Sequence, residues 1–167
     1  YEHYPDGDVD VPQEQALLDA HDIVVLQHPF YWYSTPPLVK QWEDLVLEHD
    51  WAYGSQGHHL DGKWLLSLVS AGGGAAAYDP EGYNRFTIRE LLAPIEATAR
   101  LCRMRYLPPY VIHGTHRMEE AQVALEAERY HALLSLLHDG VIDPAAAERE
   151  ESMNLVLERA LVAHVPQ

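Results

Sequence analysis

Two short stretches of the sequence combine residue types that suit a planar ligand. The first, HPFYWYSTPP at residues 28–37, places four aromatic residues in a row directly after the apolar run DIVVLQ. The second, SAGGGAAAY at residues 70–78, places three glycines directly after the apolar run KWLLSLV. Glycines let a backbone approach a ligand closely, and aromatic side chains provide flat apolar faces. Together the two stretches predict a slot for a planar, hydrogen-bonding ring system.

Both stretches follow segments with the composition of buried β-strands. DIVVLQ and KWLLSLVS contain apolar and β-branched residues without alternation, which is typical of parallel strands covered on both faces. RYLPPYVIHGTH predicts a third, shorter strand, whose proline pair places its start at an edge or a turn. In open sheets of this kind, ligands bind beyond the carboxyl ends of the strands, which is where the aromatic and glycine-rich stretches lie.

Helical periodicity separates these strands. Thr35 is a candidate N-cap for the second predicted helix, and Pro94 either kinks a later helix or begins it afresh. The predicted helices are VPQEQALLDAH, TPPLVKQWEDLVLEH, TIRELLAPIEATARLCRM, MEEAQVALEAERYHALLSLLH and one further helix over residues 144–165. Strands alternating with helices predict one α/β domain with a parallel sheet over residues 1–167. The last helix either docks on its own domain or packs against a partner subunit.

The charge balance limits the classes of partner. Eleven basic residues against twenty-six acidic ones give a net charge of −15, which disfavours nucleic acid and anionic membranes. No apolar run approaches the roughly 20 residues of a membrane span. The single cysteine, Cys102, cannot form an internal disulfide, which fits a reducing compartment such as the cytoplasm. Its apolar neighbours predict a buried, inert thiol.

The eleven histidines raise the question of a metal site. The nearest clusters are His58 with His59, and His113 with His116, and neither shows the ligand spacing of a zinc site. We therefore predict no metal. Trp42 and Trp64 are predicted to be core residues.

Four segments, in order and at similar spacings, resemble one enzyme family: QHPFYWYSTPPLVKQWEDLV, WAYG, SAGGG and YLPPYVIHGTH. They resemble the flavodoxin-like NAD(P)H:quinone oxidoreductases, and most of all their bacterial branch. That branch includes the flavin-binding ancillary subunits of glutathione-gated potassium efflux systems. The resemblance covers residues 1–138 and implies a flavodoxin-like three-layer sandwich.

The resemblance also implies a set of site residues. The flavin ring would be bound by two segments, namely Pro29, Phe30, Tyr31, Trp32 and Tyr33, and Ser70, Ala71, Gly72 and Gly73. Tyr78 would be the catalytic residue that hydrogen-bonds the flavin, and it would also contact the substrate. Tyr53 would line the substrate pocket across a dimer interface. Asn84 stands where two-domain members carry a histidine, and an amide cannot relay a proton in this way.

The implied activity is ping-pong hydride transfer from NAD(P)H to bound FMN or FAD, with FMN favoured, and then to a quinone. The implied assembly is a homodimer. Two alternatives remain open: a regulatory flavin-binding subunit of a membrane potassium-efflux protein, and a truncated relative without flavin.

The beginning of the sequence departs from the family. The family's opening strand and flavin-phosphate loop have no counterpart here, so the domain is expected to be incomplete at its N-terminus. Because that strand is central in a 2-1-3-4-5 sheet, its loss is expected to split the sheet and leave backbone groups unpaired.

Overall fold

Three apolar segments pair into one parallel sheet in a computed structural model that describes residues 3–163. The strands are β1 (Ile23–Pro29), β2 (Trp64–Ala71) and β3 (Arg105–His113), in the order β1-β2-β3. The helices are α1 (Val11–Ala20), α2 (Pro37–Val46), α3 (Ile88–Leu91), α4 (Ala93–Leu101), α5 (Glu120–His138), α6 (Pro144–Ala147) and α7 (Met153–Ala163). Two 3₁₀ turns, Ala75–Tyr78 and Thr115–Arg117, follow β2 and β3.

The helices form a layer on each face of the sheet. Helices α1 to α4 pack on one face around Leu65 and Val69 of β2. Helices α5 to α7 pack on the other around Leu66 and Leu68 of the same strand. Successive residues of a strand point to opposite faces, so a run of apolar residues in β2 serves both cores. The predicted α/β three-layer arrangement is confirmed.

The expected split in the sheet is wrong. All three strands are neighbours, so the described residues form a continuous sheet with β2 in its centre. The prediction that β1 is covered on both faces is also only partly right, because most of its residues are half-buried. A groove of about 360 Å³ runs along β1 and is lined by residues such as Val24 and Leu26.

The third strand is irregular and, with nine residues, the longest rather than the shortest. Its pairing with β2 jumps from Leu66↔Leu107 to Leu68↔Tyr110, so two prolines oppose one residue of β2. Such a β-bulge tolerates prolines because the residues within it are not needed for the ladder. The proline pair therefore marks a bulge inside the strand, not its start. On the outer edge, Asn154 pairs with both the N–H (2.9 Å) and the carbonyl (3.0 Å) of Val111.

Local chemistry sets the helix boundaries. Asp10 caps α1 by accepting from the Gln13 N–H at 3.1 Å, and Thr87 forms a capping box with Glu90 in α3. Thr35 is not an N-cap, since α2 begins at Pro37 and Pro36 occupies the cap position without a side-chain bond. A proline at a first helical turn loses no intrahelical hydrogen bond. Pro94, likewise, begins α4 afresh instead of kinking a longer helix.

The C-terminal segment forms two helices, which corrects the prediction of one helix over residues 144–165. The chain leaves the helix after α6, and Ser152 starts α7 by accepting from the Leu155 N–H at 3.3 Å. A serine side chain at this position favours a new helix start over helix continuation. Met153 and Leu157 of α7 are buried against the domain's own core. Residues 164 and 165 lie outside the described residues.

Burial was predicted for Cys102 and for two tryptophans. Cys102 is buried, and burial raises the pKa of its thiol to about 11, so it is protonated near neutral pH. Trp42 and Trp64 were predicted to be core residues, and this is only partly right, because they are partly buried and pack against the two cores from outside. Within residues 3–163, no helix is long and apolar enough to cross a membrane.

The buried His28 of β1 predicts a loss of stability in acid. It is 4% exposed, its Nε2 has no hydrogen-bond partner, and burial lowers its pKa below the ordinary value of 6.5. As the pH falls below 6.5, His28 therefore binds a proton more readily in the unfolded chain than in the folded one, and the stability of the fold decreases as the pH decreases. In urea unfolding between about pH 7.5 and about pH 5.5, we expect His28→Gln to lose less stability than the wild type.

The exposed His131 provides the matched control. His131→Gln should lose as much stability as the wild type over the same pH range. Equal losses in the wild type and His28→Gln would contradict the assignment to His28.

Candidate functional site

The carboxyl ends of the three strands lie side by side at one edge of the sheet. Pro29 pairs with Ser70, which pairs with Ile112, and Ala71 pairs with His113. The aromatic loop after β1, the glycine-rich loop after β2 and the loop after β3 therefore meet there. The predicted convergence of the aromatic and glycine-rich stretches is what the structure shows.

The aromatic loop is a tight turn with unusual backbone angles. Tyr31 and Ser34 exchange two backbone hydrogen bonds, Tyr31 N–H to Ser34 at 3.1 Å and Ser34 N–H to Tyr31 at 2.9 Å. The two residues between them, Trp32 (φ 49°) and Tyr33 (φ 64°), are both left-handed. Glycine or asparagine normally occupies positions with this backbone geometry. In other residues the left-handed conformation is less favourable by about 1–2 kcal/mol per residue. The loop thus has large aromatic residues at two positions where any residue with a Cβ atom strains the backbone.

The turn presents its tip to solvent. Trp32 is 93% exposed and Tyr31 is 57% exposed. At its base, the Phe30 N–H donates to the Ser70 carbonyl at 2.8 Å, which continues the sheet pattern beyond β1. A strained, exposed aromatic turn on a rigid base is typical of a ligand-binding loop.

Four rings form a row across the edge of the sheet. Phe30 contacts Tyr33 edge-on, with ring centroids 6.5 Å apart, and Tyr78 at 5.9 Å. Tyr78 in turn contacts His113, with centroids 5.7 Å apart. Sequence reasoning considered His113 only as a metal ligand and missed this contact. Its position at the carboxyl end of the third strand was the available signal.

The glycine-rich loop is closely approached by one side chain of the loop after β3 and by one of its own side chains. A Cβ on Gly72 would lie 2.2 Å from Nε2 of His116, and one on Gly73 would lie 3.1 Å from the Tyr78 ring. The Gly73 carbonyl accepts from the Gly114 N–H at 3.0 Å, which ties this loop to the one after β3. The absence of side chains at Gly72 and Gly73 therefore lets the glycine-rich loop and the loop after β3 pack closely.

Burial changes the protonation of the two polar rings. Burial raises the pKa of Tyr78, and the nearby Tyr33 adds to this effect. Burial lowers the pKa of His113 below 6.5, and its Nδ1 is buried without a hydrogen-bond partner. Near neutral pH the site therefore holds a protonated phenol beside an uncharged imidazole.

Residues 1–134 match the family model described as a flavodoxin-like fold. The chain belongs to this family. Curated relatives agree with the match. The flavodoxin-like domain is 46% identical over 129 residues to general stress protein 14 of Bacillus subtilis, which covers 77% of this chain and 74% of the relative. It is 43% identical over 134 residues to the glutathione-regulated potassium-efflux system ancillary protein KefF of Klebsiella aerogenes, covering 80% and 75% respectively.

Solved structures give the same fold. General stress protein 14 of Treponema denticola in complex with FMN matches with a TM-score of 0.76 and 42% identity, over 82% of this chain and 78% of that one. A structure described as a tryptophan halogenase from Streptomycin violaceusniger has a TM-score of 0.76 and 44% identity, over 78% and 76%. An NADPH-quinone reductase from P. pentosaceus has a TM-score of 0.65 and 40% identity, over 70% and 68%.

The structure places Asn84 beside the aromatic turn and Tyr53 away from it. Asn84 accepts a hydrogen bond from the Tyr33 hydroxyl at 3.3 Å, so it steadies the aromatic turn. Tyr53 is not brought to the row of rings within one chain. It contacts His49 and precedes Gly54, whose carbonyl accepts from Arg103 at the amino end of the sheet.

The residues at the carboxyl edge fit the ring of a flavin. Exposed aromatic rings lie at this edge together with glycine backbone that carries no side chains. Protonated Tyr78 and the unpartnered Nδ1 of His113 add polar groups near both. In contrast, residues 3–163 contain no cluster of three histidine, cysteine, aspartate or glutamate side chains placed to hold a metal. His58 and His59 instead pair with Asp61 and Asp19.

The left-handed turn predicts different stabilities for two substitutions at Trp32. Because the side chain is almost fully exposed, Trp32→Gly relieves backbone strain and loses little packing. We expect it to unfold at higher urea than Trp32→Ala, with a difference of about 1 kcal/mol, since alanine keeps the Cβ that causes the strain. Equal stability of the two variants would show that the backbone at this position is not strained.

Proposed function

We propose that this chain binds FMN and acts as an NAD(P)H:quinone oxidoreductase. One observation supports this proposal most strongly. A strained aromatic turn and a glycine-rich loop lie side by side at the carboxyl edge of a flavodoxin-like sheet. Similarity to an FMN complex and to an NADPH-quinone reductase supports the same reading. FMN is chosen over FAD because FMN is the flavin in that structural relative.

The chain's own part in the reaction is positioning. The backbone amides of Trp32 and Tyr33 would hold the ring, because those of Phe30 and Tyr31 already donate to Ser70 and Ser34. Ser70, Ala71, Gly72 and Gly73 would bind the polar edge of the ring through their backbone. The chemistry that a bound flavin supplies is the transfer of a hydride from NAD(P)H to a quinone.

Tyr78 is the proposed catalytic residue. Its raised pKa keeps the phenol protonated, so it donates a hydrogen bond where negative charge develops. Asn84 cannot exchange a proton with it at neutral pH, and its amide oxygen already accepts from Tyr33. His113 is the titratable ring that contacts Tyr78 in this chain.

The proposal includes a homodimer in the cytoplasm. Tyr53 lies away from the row of rings, so its proposed role in the quinone pocket requires a second copy of the chain. The exposed Trp32, Tyr83 and Phe86 supply apolar surface for such contacts. A cytoplasmic location fits an NAD(P)H-using protein whose one cysteine is a free, buried thiol.

A second candidate function is that of an ancillary subunit for a membrane potassium-efflux protein. The observation that favours it is the 43% identity to KefF over 80% of this chain. The two functions are compatible, because a flavin site and a docking surface can exist on one domain. Co-purification with a membrane antiporter would support this candidate, and a chain that reduces quinones but binds no antiporter would oppose it.

The first prediction concerns flavin binding. Titration of the purified chain into FMN, and separately into FAD, should quench flavin fluorescence and saturate at one FMN per chain. Trp32→Ala should weaken FMN binding about tenfold, the loss expected for one stacked aromatic ring. Leu101→Ala, a change at an exposed apolar residue at the end of α4, serves as the control. Absence of quenching would support the alternative of a flavin-free relative.

The second prediction concerns Tyr78. Tyr78→Phe should lower the rate of quinone reduction about tenfold, because it removes one hydrogen bond to a developing charge. FMN affinity should change by less than about threefold, since the ring and its contacts with Phe30 remain. Steady-state kinetics with NADH and NADPH and a benzoquinone measure the rate. An unchanged rate would exclude the proposed role of Tyr78.

A further inference from the structure

A cavity at the amino end of the sheet gathers much of the positive charge of this acidic chain. The cavity has a volume of about 360 Å³. The chain has 11 basic residues against 26 acidic ones. Four of the basic residues, all arginines, line this cavity: Arg89, Arg100, Arg105 and Arg149. Elsewhere the surface is dominated by carboxylates, so this concentration of guanidinium groups is a departure from the rest of the molecule.

The cavity is separate from the candidate flavin site. Arg105 is the first residue of β3, and His113 is the last. The strand between them spans about 26 Å at the usual rise per residue. The lining comes from α3, from α4, from the start of β3 and from the turn after α6. No residue of the aromatic or glycine-rich loops lines the cavity.

The charges in the cavity do not cancel. Two carboxylates line it, and each is paired with one arginine: Glu96 with Arg100 and Glu148 with Arg105, both at 2.5 Å. Four guanidinium groups against two carboxylates leave an excess of two positive charges. The excess belongs to the remaining two arginines.

Those two arginines have donors to spare. Arg89 uses Nη1 to donate to the Glu150 carbonyl at 3.1 Å, which leaves most of its five N–H groups free. Within residues 3–163, the Arg149 side chain has no hydrogen-bond or ion-pair partner. The buried Tyr106 in the lining adds no negative charge, because its hydroxyl donates to Ser67 at 2.9 Å and its pKa is raised to about 12 by burial.

We propose that this cavity binds the phosphate group of a small soluble molecule. Arginine forks match the oxygen geometry of phosphate in a bidentate manner, and two excess positive charges balance a phosphate dianion. The cavity volume falls within the range of small-ligand pockets. The cavity attracts an anion locally, whereas the net charge of −15 repels anions from the molecule as a whole.

Such a ligand would link two parts of the chain. Arg89, Arg100 and Arg105 lie within residues 1–134, which match the flavodoxin-like family model, whereas Glu148 and Arg149 lie beyond them. A phosphate between Arg89 and Arg149 would hold the C-terminal segment to the domain. The site is thus assigned to residues that the family match only partly covers.

Isothermal titration calorimetry of the full chain with inorganic phosphate, and separately with pyrophosphate, tests the proposal. At constant ionic strength in chloride buffer, we expect saturable binding of one anion per chain. Arg149→Gln and Arg89→Gln should each weaken it about tenfold, the effect of losing a charge-assisted hydrogen bond. Tighter binding of pyrophosphate than of phosphate would indicate that the natural ligand carries a diphosphate.

Two further variants make the outcome decisive. Arg117→Gln removes the same charge at the opposite end of the sheet, and it should leave phosphate affinity unchanged. Glu148→Gln frees Arg105 from its carboxylate, and it should strengthen binding, which a merely unfolded variant cannot do. The proposal is overturned by binding that does not saturate, by equal losses in Arg117→Gln and Arg149→Gln, or by weaker binding in Glu148→Gln.

Discussion

Two backbone hydrogen bonds beyond the ends of the strands hold the candidate site together. The Phe30 N–H donates to Ser70, and the Gly114 N–H donates to the Gly73 carbonyl. Each extends the sheet by one step, so three loops leave the sheet at fixed relative positions. The row of rings depends on this, because its members come from separate segments and touch only if their backbones are held. Phe30 follows β1, Tyr78 ends the 3₁₀ turn after β2, and His113 ends β3. In such folds the rigid sheet provides stability, and the short loops at its edge provide a binding surface.

Much of the fold could be predicted from the sequence, and the reasons are local. Apolar runs without alternation marked β1 and β2, and Pro94 marked either a kink or a helix start, of which the start is found. The aromatic and glycine-rich stretches could be placed together because parallel strands end at the same edge. The flavin-binding roles of their residues came from family resemblance, and they remain proposals.

What could not be predicted depends on contacts between distant residues. Neither the left-handed angles of Trp32 and Tyr33 nor the contact of His113 with Tyr78 could be predicted from the sequence. The end of the third strand indicated where His113 lies, but not which ring it contacts. The arginine cavity is assembled from positions 60 residues apart, Arg89 and Arg149, in a chain whose overall charge suggests the opposite. The sheet was expected to split because the strand order was taken from the family, whereas the strands present here are adjacent.

The bulge at Pro108 and Pro109 makes β3 sensitive to a change of length. Before it, Tyr106 faces the core of α1 to α4. After it, Val111 faces that same core, and His113 contacts Tyr78 there. With regular alternation, Tyr106 and His113 would point to opposite faces, so the extra residue is what brings His113 to the site. A single-residue deletion in the proline pair would exchange the two faces of everything downstream in β3. A change of length at this point therefore disturbs β3 more than a substitution does, because only a change of length exchanges the faces.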